Sequence, residues 1–308
     1  MSTALAFEGR CVVITGAGRG IGRAYALELG GRGAAVVVND LDASVAISVA
    51  AEVEAAGGLA LPFACDVADP AACDAMIAVA FEAFGGIDAV IANASINSKR
   101  KPFPELTYAD LQAMLAVNVY GAWSPLKAAW PHLVKSKRGR VLLTTSQAAL
   151  YGMPMLAEYA LAKGAMIGLM RTLAQEGRAL GIKVNAIAPA AATRLTEETI
   201  QDERARNILR ELQPPALVAP AAAVLVHDDC PVSGEILVVG GAHAGRVFIG
   251  ETVGLTLPHD AFTGEALASR VSEICDEKGY RVPRDISETG DPAQKAEIFE
   301  RLRALGLV

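Results

Sequence analysis

A tyrosine and a lysine four positions apart form the most reactive pattern in this sequence. They stand in the segment Tyr159-Ala-Leu-Ala-Lys163, and on a helix that spacing places both side chains on one face. An ammonium beside a phenol stabilises the phenolate, so we expect the pKa of Tyr159 to fall from its usual value of about 10 toward neutrality. A phenol in that state serves as a general acid or base near pH 7.

A serine precedes this pair and adds a third polar group. Ser146 follows the apolar run 141–145, and a strand, a turn and a helix in succession would bring its hydroxyl back beside Tyr159. There it can hold the oxygen of an alcohol or ketone while charge develops on it. The alternative interpretation is a Tyr159/Lys163 pair on the exposed face of an amphipathic helix.

A glycine-rich turn near the N-terminus gives this chemistry a context. The apolar run 10–15 is followed by Gly16, Gly20 and Gly22, and then by a helical pattern through Leu29. A strand, a glycine-rich turn and a helix in this order can bind a pyrophosphate on backbone N–H groups at the helix N-terminus. Glycine also occurs in such turns without a ligand, but a second strand follows this one, as in dinucleotide-binding proteins.

An acidic residue ends that second strand. Asp40 follows the run 34–39 and lies 20 residues after Gly20, where a carboxylate can bind the adenosine ribose hydroxyls and repel a 2′-phosphate. This favours NAD over NADP. Two alternatives remain open: Arg19 can reach a 2′-phosphate, and Asp40 can simply cap the next helix.

Apolar strands and helical segments alternate along most of the chain, which predicts a parallel sheet covered by helices on both faces. We therefore expect an α/β fold, a Rossmann-type doubly wound parallel sheet, in a single domain with a C-terminal helical extension. Ligands of such sheets bind beyond the carboxyl ends of the strands. The predicted strands are 10–15, 34–39, 59–64, 87–91, 140–145, 183–188 and, as the last one, 235–239. The predicted helices include 42–56, 70–84, 108–134 and 157–180.

The C-terminal part of the chain has a different character. Residues 193–212 are charged and helical in pattern, and a segment placed after a strand can cover a substrate. After residue 250 the sequence becomes more polar, with two predicted helices at 261–277 and 292–305. We expect a dinucleotide-binding and catalytic domain over 1–250 and a helical extension over 251–308.

Composition excludes several classes of function. A net charge of −6 and the lack of a long basic block argue against nucleic-acid binding. No apolar run is long enough to cross a bilayer, and the first residues lack the basic region of a signal peptide. The five cysteines contain no Cys-x-x-Cys pair and the four histidines lack ligand spacing. We therefore expect reduced thiols, no metal site and a cytoplasmic location.

With these residues in place, the sequence resembles the short-chain dehydrogenase/reductase family over residues 8–242. The resemblance is carried, in chain order, by Thr15-Gly-Ala-Gly-Arg-Gly-Ile-Gly22, Asp66-Val67, Asn93-Ala94, Asn118, Ser146, Tyr159, Lys163 and Pro189. Within the family, three further segments look most like the units that oxidise (3R)-hydroxyacyl-CoA thioesters. These segments are Arg23-Ala-Tyr-Ala-Leu27, Val36-Val-Val-Asn-Asp40 and Thr193-Arg-Leu-Thr196.

The resemblance implies a role for each catalytic position. Tyr159 would be the general acid/base, and Lys163 would lower its pKa and hold the nicotinamide ribose. Ser146 would bind the substrate oxygen, and Asn118 would place a water that links Lys163 to solvent. The implied cofactor contacts are Gly16, Arg19, Gly20, Ile21, Gly22, Asp40, Asp66, Val67, Asn93, Tyr159, Lys163, Pro189 and Thr193.

The expected reaction is the NAD(P)-dependent interconversion of a secondary alcohol and a ketone, with NAD preferred and a (3R)-hydroxyacyl-CoA as substrate. Lys99-Arg100-Lys101 can meet the coenzyme A phosphates, although a solvated basic turn is the favoured interpretation of this segment. The alternatives are a hydroxysteroid, sugar or other secondary-alcohol dehydrogenase, and a cofactor-binding scaffold without turnover. The resemblance further implies a homodimer or homotetramer.

Overall fold

The computed structural model describes residues 5–193 and 200–305, and its centre is an eight-stranded sheet. The strands are β1 (Cys11–Ile14), β2 (Ala35–Asp40), β3 (Leu59–Ala64), β4 (Ala89–Ala92), β5 (Arg140–Thr144), β6 (Lys183–Ala190), β7 (Ile236–Gly240) and β8 (His243–Val247). Their order is β3-β2-β1-β4-β5-β6-β7-β8, and all neighbours from β3 to β7 are parallel. The predicted doubly wound α/β fold is confirmed. Because the strand order reverses between β1 and β4, the loops that follow these two strands form a crevice.

Helices cover both faces of this sheet. They are α1 (Gly20–Gly30), α2 (Ala43–Ala55), α3 (Pro70–Phe84), α4 (Tyr108–Leu115), α5 (Gly121–Ser136), α6 (Gln147–Tyr151), α7 (Ala157–Arg178), α8 (Glu203–Leu212) and α9 (Ala219–Val226). Side chains of successive strand residues point to opposite faces. Val12 and Ile14 accordingly pack with α1, α2 and α9, whereas Val13 packs with α3, α5 and α7. Both faces of the central strands are buried, which explains why these strands are largely apolar.

The prediction that 235–239 is the last strand was wrong. β8 follows β7 after a tight turn and pairs with it antiparallel, with Gly240 opposite His243. Gly241 (φ 55°) and Ala242 (φ 60°) both adopt the left-handed conformation that two-residue hairpin turns require. The sequence hid this strand because an edge strand exposed to solvent needs no apolar run.

The long predicted helix 108–134 is interrupted. Between α4 and α5 lies one turn of π-helix, Ala116–Tyr120, in which Asn118 is buried. Such a turn carries one extra residue and often marks a functional site. From within this turn, Asn118 makes hydrogen bonds to Ile96 in the segment after β4.

The chain divides into two compact units, Met1–Val247 and Phe248–Val308. In the second unit the predicted helix 261–277 is replaced by two short ones, α10 (Gly264–Ser269) and α11 (Val271–Ile274), and α12 spans Pro292–Ala304. The predicted boundary between 250 and 251 stays a prediction. Of the predicted helical segment 193–212, residues 194–199 lie outside the described residues. Within the described ranges, the helices are too short or too polar to span a membrane.

Candidate active site

The hydroxyls of Ser146 and Tyr159 meet at the carboxyl end of β5. Ser146 is the N-cap residue of α6, and its Oγ accepts a hydrogen bond from the Ala148 N–H at 3.2 Å. Tyr159 lies in the first turn of α7. Burial raises the pKa of the Tyr159 phenol, and a side-chain hydrogen bond with Ser146 opposes that rise. The direction is opposite to the one expected from the sequence.

The Lys163 ammonium is bound to the end of β5. Its Nζ is buried and donates a hydrogen bond to the Thr144 carbonyl at 3.0 Å, while it lies 5.9 Å from the centroid of the Tyr159 ring. The Lys163 carbonyl in turn accepts a hydrogen bond from Thr145 Oγ1 at 2.8 Å. The end of β5 therefore fixes the lysine. Burial lowers the pKa of Lys163 to about 8, so the ammonium is charged below that pH.

Asn118 binds the segment that follows β4. Its Oδ1 accepts a hydrogen bond from the Ile96 N–H at 2.8 Å, and its Nδ2 donates to the Ile96 carbonyl at 3.1 Å and to Met114 Sδ at 2.9 Å. One side chain thus satisfies both backbone groups of Ile96. Asn118 is a structural clamp on this segment, in addition to the relay role that the resemblance implies.

A second clamp was missed by the sequence analysis. Ser98 Oγ donates a hydrogen bond to Glu158 Oε1 at 2.5 Å, and Glu158, next to Tyr159, is only 4% exposed. Its other oxygen, Oε2, is buried without a hydrogen-bond partner in the described part of the chain. The signal in the sequence is weak, because an acidic residue in the first turn of a helix is common on exposed surfaces as well.

The backbone of the glycine-rich turn packs closely against itself and against the backbone of the loop after β4. Gly16 has a φ of 63°, and a Cβ added there would lie 2.8 Å from Ala94 Cα; a Cβ on Gly22 would lie 2.1 Å from the Gly16 carbonyl oxygen. The turn leads into α1, whose N-cap residue Arg19 makes no side-chain cap, and the first turn has no acidic residue. Its N–H groups and helix dipole therefore suit an anion such as a pyrophosphate.

Asn93 ties this turn to the loop after β4. Its Nδ2 donates to the Thr15 carbonyl at 3.0 Å and to the Gly16 carbonyl at 3.2 Å. Thr15 Oγ1 accepts hydrogen bonds from the N–H groups of Asn93 and Ala94, at 3.0 and 3.1 Å. Hydrogen bonds of the Thr15 and Asn93 side chains thus hold the loop after β1 against the loop after β4.

Asp40 lies beside the glycine-rich turn. Its Oδ2 accepts a hydrogen bond from the Gly18 N–H at 3.0 Å, and its Oδ1 accepts one from the Asp42 N–H at 3.2 Å. The residue that caps α2 is Asp42, which binds the Ser44 N–H, so the alternative of Asp40 as the cap is wrong. Arg19 forms an exposed ion pair with Asp42 at 3.0 Å.

The remaining predicted contacts lie at the same edge of the sheet. Asp66 follows β3 and accepts a hydrogen bond from the Ala68 N–H at 2.9 Å, and Val67 beside it is buried. Thr193 lies close to Gly20, since a Cβ added to that glycine would be 3.4 Å from Thr193 Cγ2. The other two positions, Ile21 and Pro189, lie in the first turn of α1 and near the end of β6.

The basic segment after β4 is partly neutralised. Lys99 and Lys101 both pair with Asp110, at 3.0 and 2.9 Å, and these contacts hold the pKa of the Asp110 carboxyl well below its usual range. Arg100 is exposed. For Lys99 and Lys101, the structure therefore favours a structured basic turn over a contact with the coenzyme A phosphates.

Taken together, the sheet, the uncapped helix N-terminus and the Ser146/Tyr159/Lys163 group define a dinucleotide-dependent oxidoreductase. Comparison with known proteins agrees: residues 10–204 match the family model for short chain dehydrogenases. The chain belongs to this family, whose members use NAD(P), and is an oxidoreductase that acts on CH–OH donors.

Individual relatives show the breadth of the family. The chain is 35% identical to mouse peroxisomal multifunctional enzyme type 2 over 94% of its own length and 40% of that protein. It is 32% identical to the (2S)-[(R)-hydroxy(phenyl)methyl]succinyl-CoA dehydrogenase subunit of Thauera aromatica, over 78% and 98% of the two chains. A solved 7α-hydroxysteroid dehydrogenase with NADH and 7-oxo glycochenodeoxycholic acid superposes with a TM-score of 0.72, at 32% identity over 78% and 97%. The similarity to the multifunctional enzyme confirms the predicted subgroup resemblance.

Proposed function

We propose that the protein is an NAD-dependent dehydrogenase that interconverts a (3R)-3-hydroxyacyl-CoA and the 3-oxoacyl-CoA. The observation that carries the chemistry is the group of Tyr159, Lys163 and Ser146 after β5: Lys163 Nζ lies 5.9 Å from the centroid of the Tyr159 ring, and Ser146 lowers the pKa of the Tyr159 phenol against the effect of burial. The substrate class is supported by the likeness to peroxisomal multifunctional enzyme type 2 and by a relative named as a CoA-thioester dehydrogenase.

The chain's own groups divide the work of alcohol oxidation. Tyr159, as phenolate, takes the proton of the substrate hydroxyl, and Ser146 donates a hydrogen bond to the oxygen as charge develops on it. Lys163 supplies a positive charge 5.9 Å from the centre of the phenol ring, and Asn118 keeps the loop after β4 in place. NAD, when bound, accepts the hydride.

The residues around β1 and β2 support NAD as the preferred cofactor. Asp40 offers a carboxylate at the end of β2, where it would meet the adenosine ribose and repel a 2′-phosphate. Arg19, the one cation proposed for that phosphate, is paired with Asp42. Gly16, Gly20 and Gly22 would line the pyrophosphate. Side chains at Gly16 and Gly22 would collide with neighbouring backbone, so the turn itself also requires glycine at these two positions.

A hydroxysteroid is the second candidate substrate. Tyr151, Met153 and Met155, just before α7, expose large apolar groups that suit a rigid apolar ligand. The solved hydroxysteroid dehydrogenase supports this candidate as well.

The deciding experiment follows the absorbance of reduced nicotinamide with NAD and, separately, NADP. The panel holds the (3R) and (3S) forms of a medium-chain 3-hydroxyacyl-CoA, a hydroxysteroid and a sugar alcohol. We expect turnover of the (3R) thioester with NAD. Turnover of the steroid alone would favour the second candidate, and cofactor binding without any turnover would indicate a scaffold.

We further propose a homodimer or homotetramer in the cytoplasm. Gly164 and Gly168 on α7 have open space at the Cβ position, and Leu161 on the same helix is 54% exposed, so a second copy can approach closely. The free cysteines suit a reducing compartment. Light scattering after gel filtration measures the mass, and a monomer would contradict the assembly.

A further inference from the structure

The three cations of the segment 99–101 have different surroundings. Lys99 Nζ and Lys101 Nζ each pair with a carboxylate oxygen of Asp110, at 3.0 and 2.9 Å. Arg100, between them, is exposed, and within the described part of the chain its guanidinium takes part in none of the ion pairs. The two lysines therefore hold the segment in place, while the charge and the hydrogen-bond donors of Arg100 are available to a ligand.

The backbone of Arg100 is also held in position. Its φ of 53° is in the left-handed region, which residues other than glycine seldom adopt. Its N–H donates a hydrogen bond to Ser98 Oγ at 3.0 Å, and Ser98 Oγ donates one to Glu158 Oε1 at 2.5 Å. Ser98 and Glu158 are both buried. Since the segment is ordered before a ligand arrives, binding through Arg100 costs less conformational entropy.

The same hydrogen bonds connect Arg100 with the candidate active site. Glu158 immediately precedes Tyr159 in α7, and Ser98 Oγ lies 3.5 Å from the carbonyl oxygen of Met155, in the segment before that helix. Only two hydrogen bonds, of 3.0 and 2.5 Å, separate the Arg100 N–H from the Glu158 carboxylate. A long molecule whose hydroxyl reaches the phenol can therefore place a distant anionic group on the guanidinium.

An exposed aromatic ring follows this cation. Phe103 begins a short 3₁₀ helix and is 78% exposed. Because three residues of extended chain span at most about 11 Å, the backbones of Arg100 and Phe103 lie within the dimensions of one nucleotide. A guanidinium binds phosphate through several hydrogen bonds, and an aromatic ring stacks on a base. Together the two side chains offer one contact for each part of a nucleotide.

We propose that Arg100 and Phe103 bind the nucleotide end of a coenzyme A thioester, with the guanidinium on a phosphate and the ring of Phe103 against the adenine. This inference rests on the proposed function and names the part of the substrate that the enzyme selects. Coenzyme A carries its phosphates and its base at the far end of a long arm from the reacting carbon. The chain has a net charge of −6, so an anionic substrate needs a local positive charge to bind.

The kinetic test compares two thioesters of the same (3R)-3-hydroxyacyl group, one on coenzyme A and one on N-acetylcysteamine, which has neither phosphate nor base. Arg100→Gln should raise KM for the coenzyme A thioester about tenfold, as for other hydrogen bonds to charged groups, with kcat within about twofold. Phe103→Ala should raise the same KM about fivefold. Both variants should leave KM for the N-acetylcysteamine thioester unchanged.

Lys137→Gln is the matched control. Lys137 is likewise an exposed cation in the left-handed conformation, with a φ of 59°, but it follows α5 at the opposite edge of the sheet from Tyr159. This variant should change neither KM. If Arg100→Gln raised KM for both thioesters equally, or lowered kcat for both, Arg100 would act on the active site itself and the proposal would be overturned.

A binding measurement gives a readout that needs no turnover. Coenzyme A, dephospho-coenzyme A and pantetheine are titrated calorimetrically in the presence of saturating NAD, which keeps them out of the dinucleotide site. Coenzyme A should bind Arg100→Gln about tenfold more weakly than the wild type, and pantetheine should bind both equally. A loss with coenzyme A alone would assign Arg100 to the 3′-phosphate, and a loss with dephospho-coenzyme A as well would assign it to the pyrophosphate.

Two results of this titration would overturn the proposal: equal affinities of coenzyme A for the wild type and Arg100→Gln, and no binding of coenzyme A to either. Failure of the proposed dehydrogenase activity would appear differently, as absent turnover of both thioesters by the wild type. In that case the ratio of the two coenzyme A affinities would still decide whether Arg100 binds a phosphate.

Discussion

Ser98 is joined to the buried carboxylate of Glu158 by a hydrogen bond of 2.5 Å between Oγ and Oε1. The bond connects the segment after β4 with the first turn of α7, at the residue before Tyr159. A buried carboxylate that keeps one oxygen unbonded reduces stability, and residues that keep such a cost often serve a site. We infer that Glu158 sets the position of Tyr159 relative to the loop beside it.

The first prediction concerns that positioning. Glu158→Ala releases Ser98 and should lower kcat about 10- to 100-fold, because small displacements of a catalytic group have large effects on rate. Glu158→Gln, which can still accept the Ser98 hydrogen bond, should restore most of kcat. Both are measured by nicotinamide absorbance, with Glu176→Ala, an exposed residue of the same helix, as the control. Equal losses in the Gln and Ala variants would speak against positioning.

Tyr159→Phe removes the proposed acid/base and keeps the ring. We expect kcat to fall by about 10²–10⁴-fold, with the NAD dissociation constant within about twofold of the wild type since the phenol makes the proton transfer. Tyr108→Phe changes an exposed tyrosine at the start of α4 and should leave both quantities unaltered. Stopped-flow rates and NAD titration give the two readouts. More than a tenth of the wild-type rate would refute the assignment.

Ser146→Ala should shift the pH dependence as well as the rate. The hydrogen bond from Ser146 lowers the pKa of Tyr159 against the effect of burial, so its loss raises that pKa. Alcohol oxidation needs the phenolate, and the rising limb of kcat/KM should therefore move to higher pH. The profile of the residual activity between pH 6 and 10 checks this, and a limb that moves to lower pH would contradict it.

Lys163→Met should abolish turnover and yet stabilise the protein at neutral pH. Burial lowers the pKa of Lys163 from 10.5 to about 8, so the charged form is disfavoured in the fold by up to about 3 kcal/mol. This penalty is fully present below pH 8 and disappears as the pH rises from 8 to 10.5. Urea unfolding at pH 7 should show the variant more stable by about 1–3 kcal/mol, with no gain left above pH 10.5. A variant less stable at pH 7 would show that the Thr144 hydrogen bond outweighs the burial of charge.

Asp40→Asn tests the cofactor preference. Loss of the carboxylate should weaken NAD binding about 10-fold or more, as for other hydrogen bonds to charged groups, and should improve NADP binding because the repulsion of a 2′-phosphate is removed. Asp74→Asn, an exposed acid on α3, is the matched control. The ratio of the two dissociation constants by fluorescence titration gives the result. An unchanged ratio would place the choice of cofactor elsewhere.

The sequence by itself determined the seven parallel strands of the sheet, the glycine-rich turn and the group of polar residues around Tyr159. Apolar strands buried on both faces leave a periodic signal, and α3 (Pro70–Phe84) begins and ends at the predicted residues because Pro70 starts it and Gly85 ends it in the left-handed conformation. The spacing of Tyr159 and Lys163 on one helix is a local property, so it too can be read from the chain.

Only the tertiary structure decided how these groups act on one another. Lys163 donates a hydrogen bond to the Thr144 carbonyl, and burial raises the pKa of the Tyr159 phenol, which the sequence had predicted to fall. Arg19 pairs with Asp42, and Glu158 meets Ser98, across separations along the chain that no local pattern encodes. The direction of a pKa shift and the partner of a charge depend on burial and distance, which arise only when the strands and helices pack together.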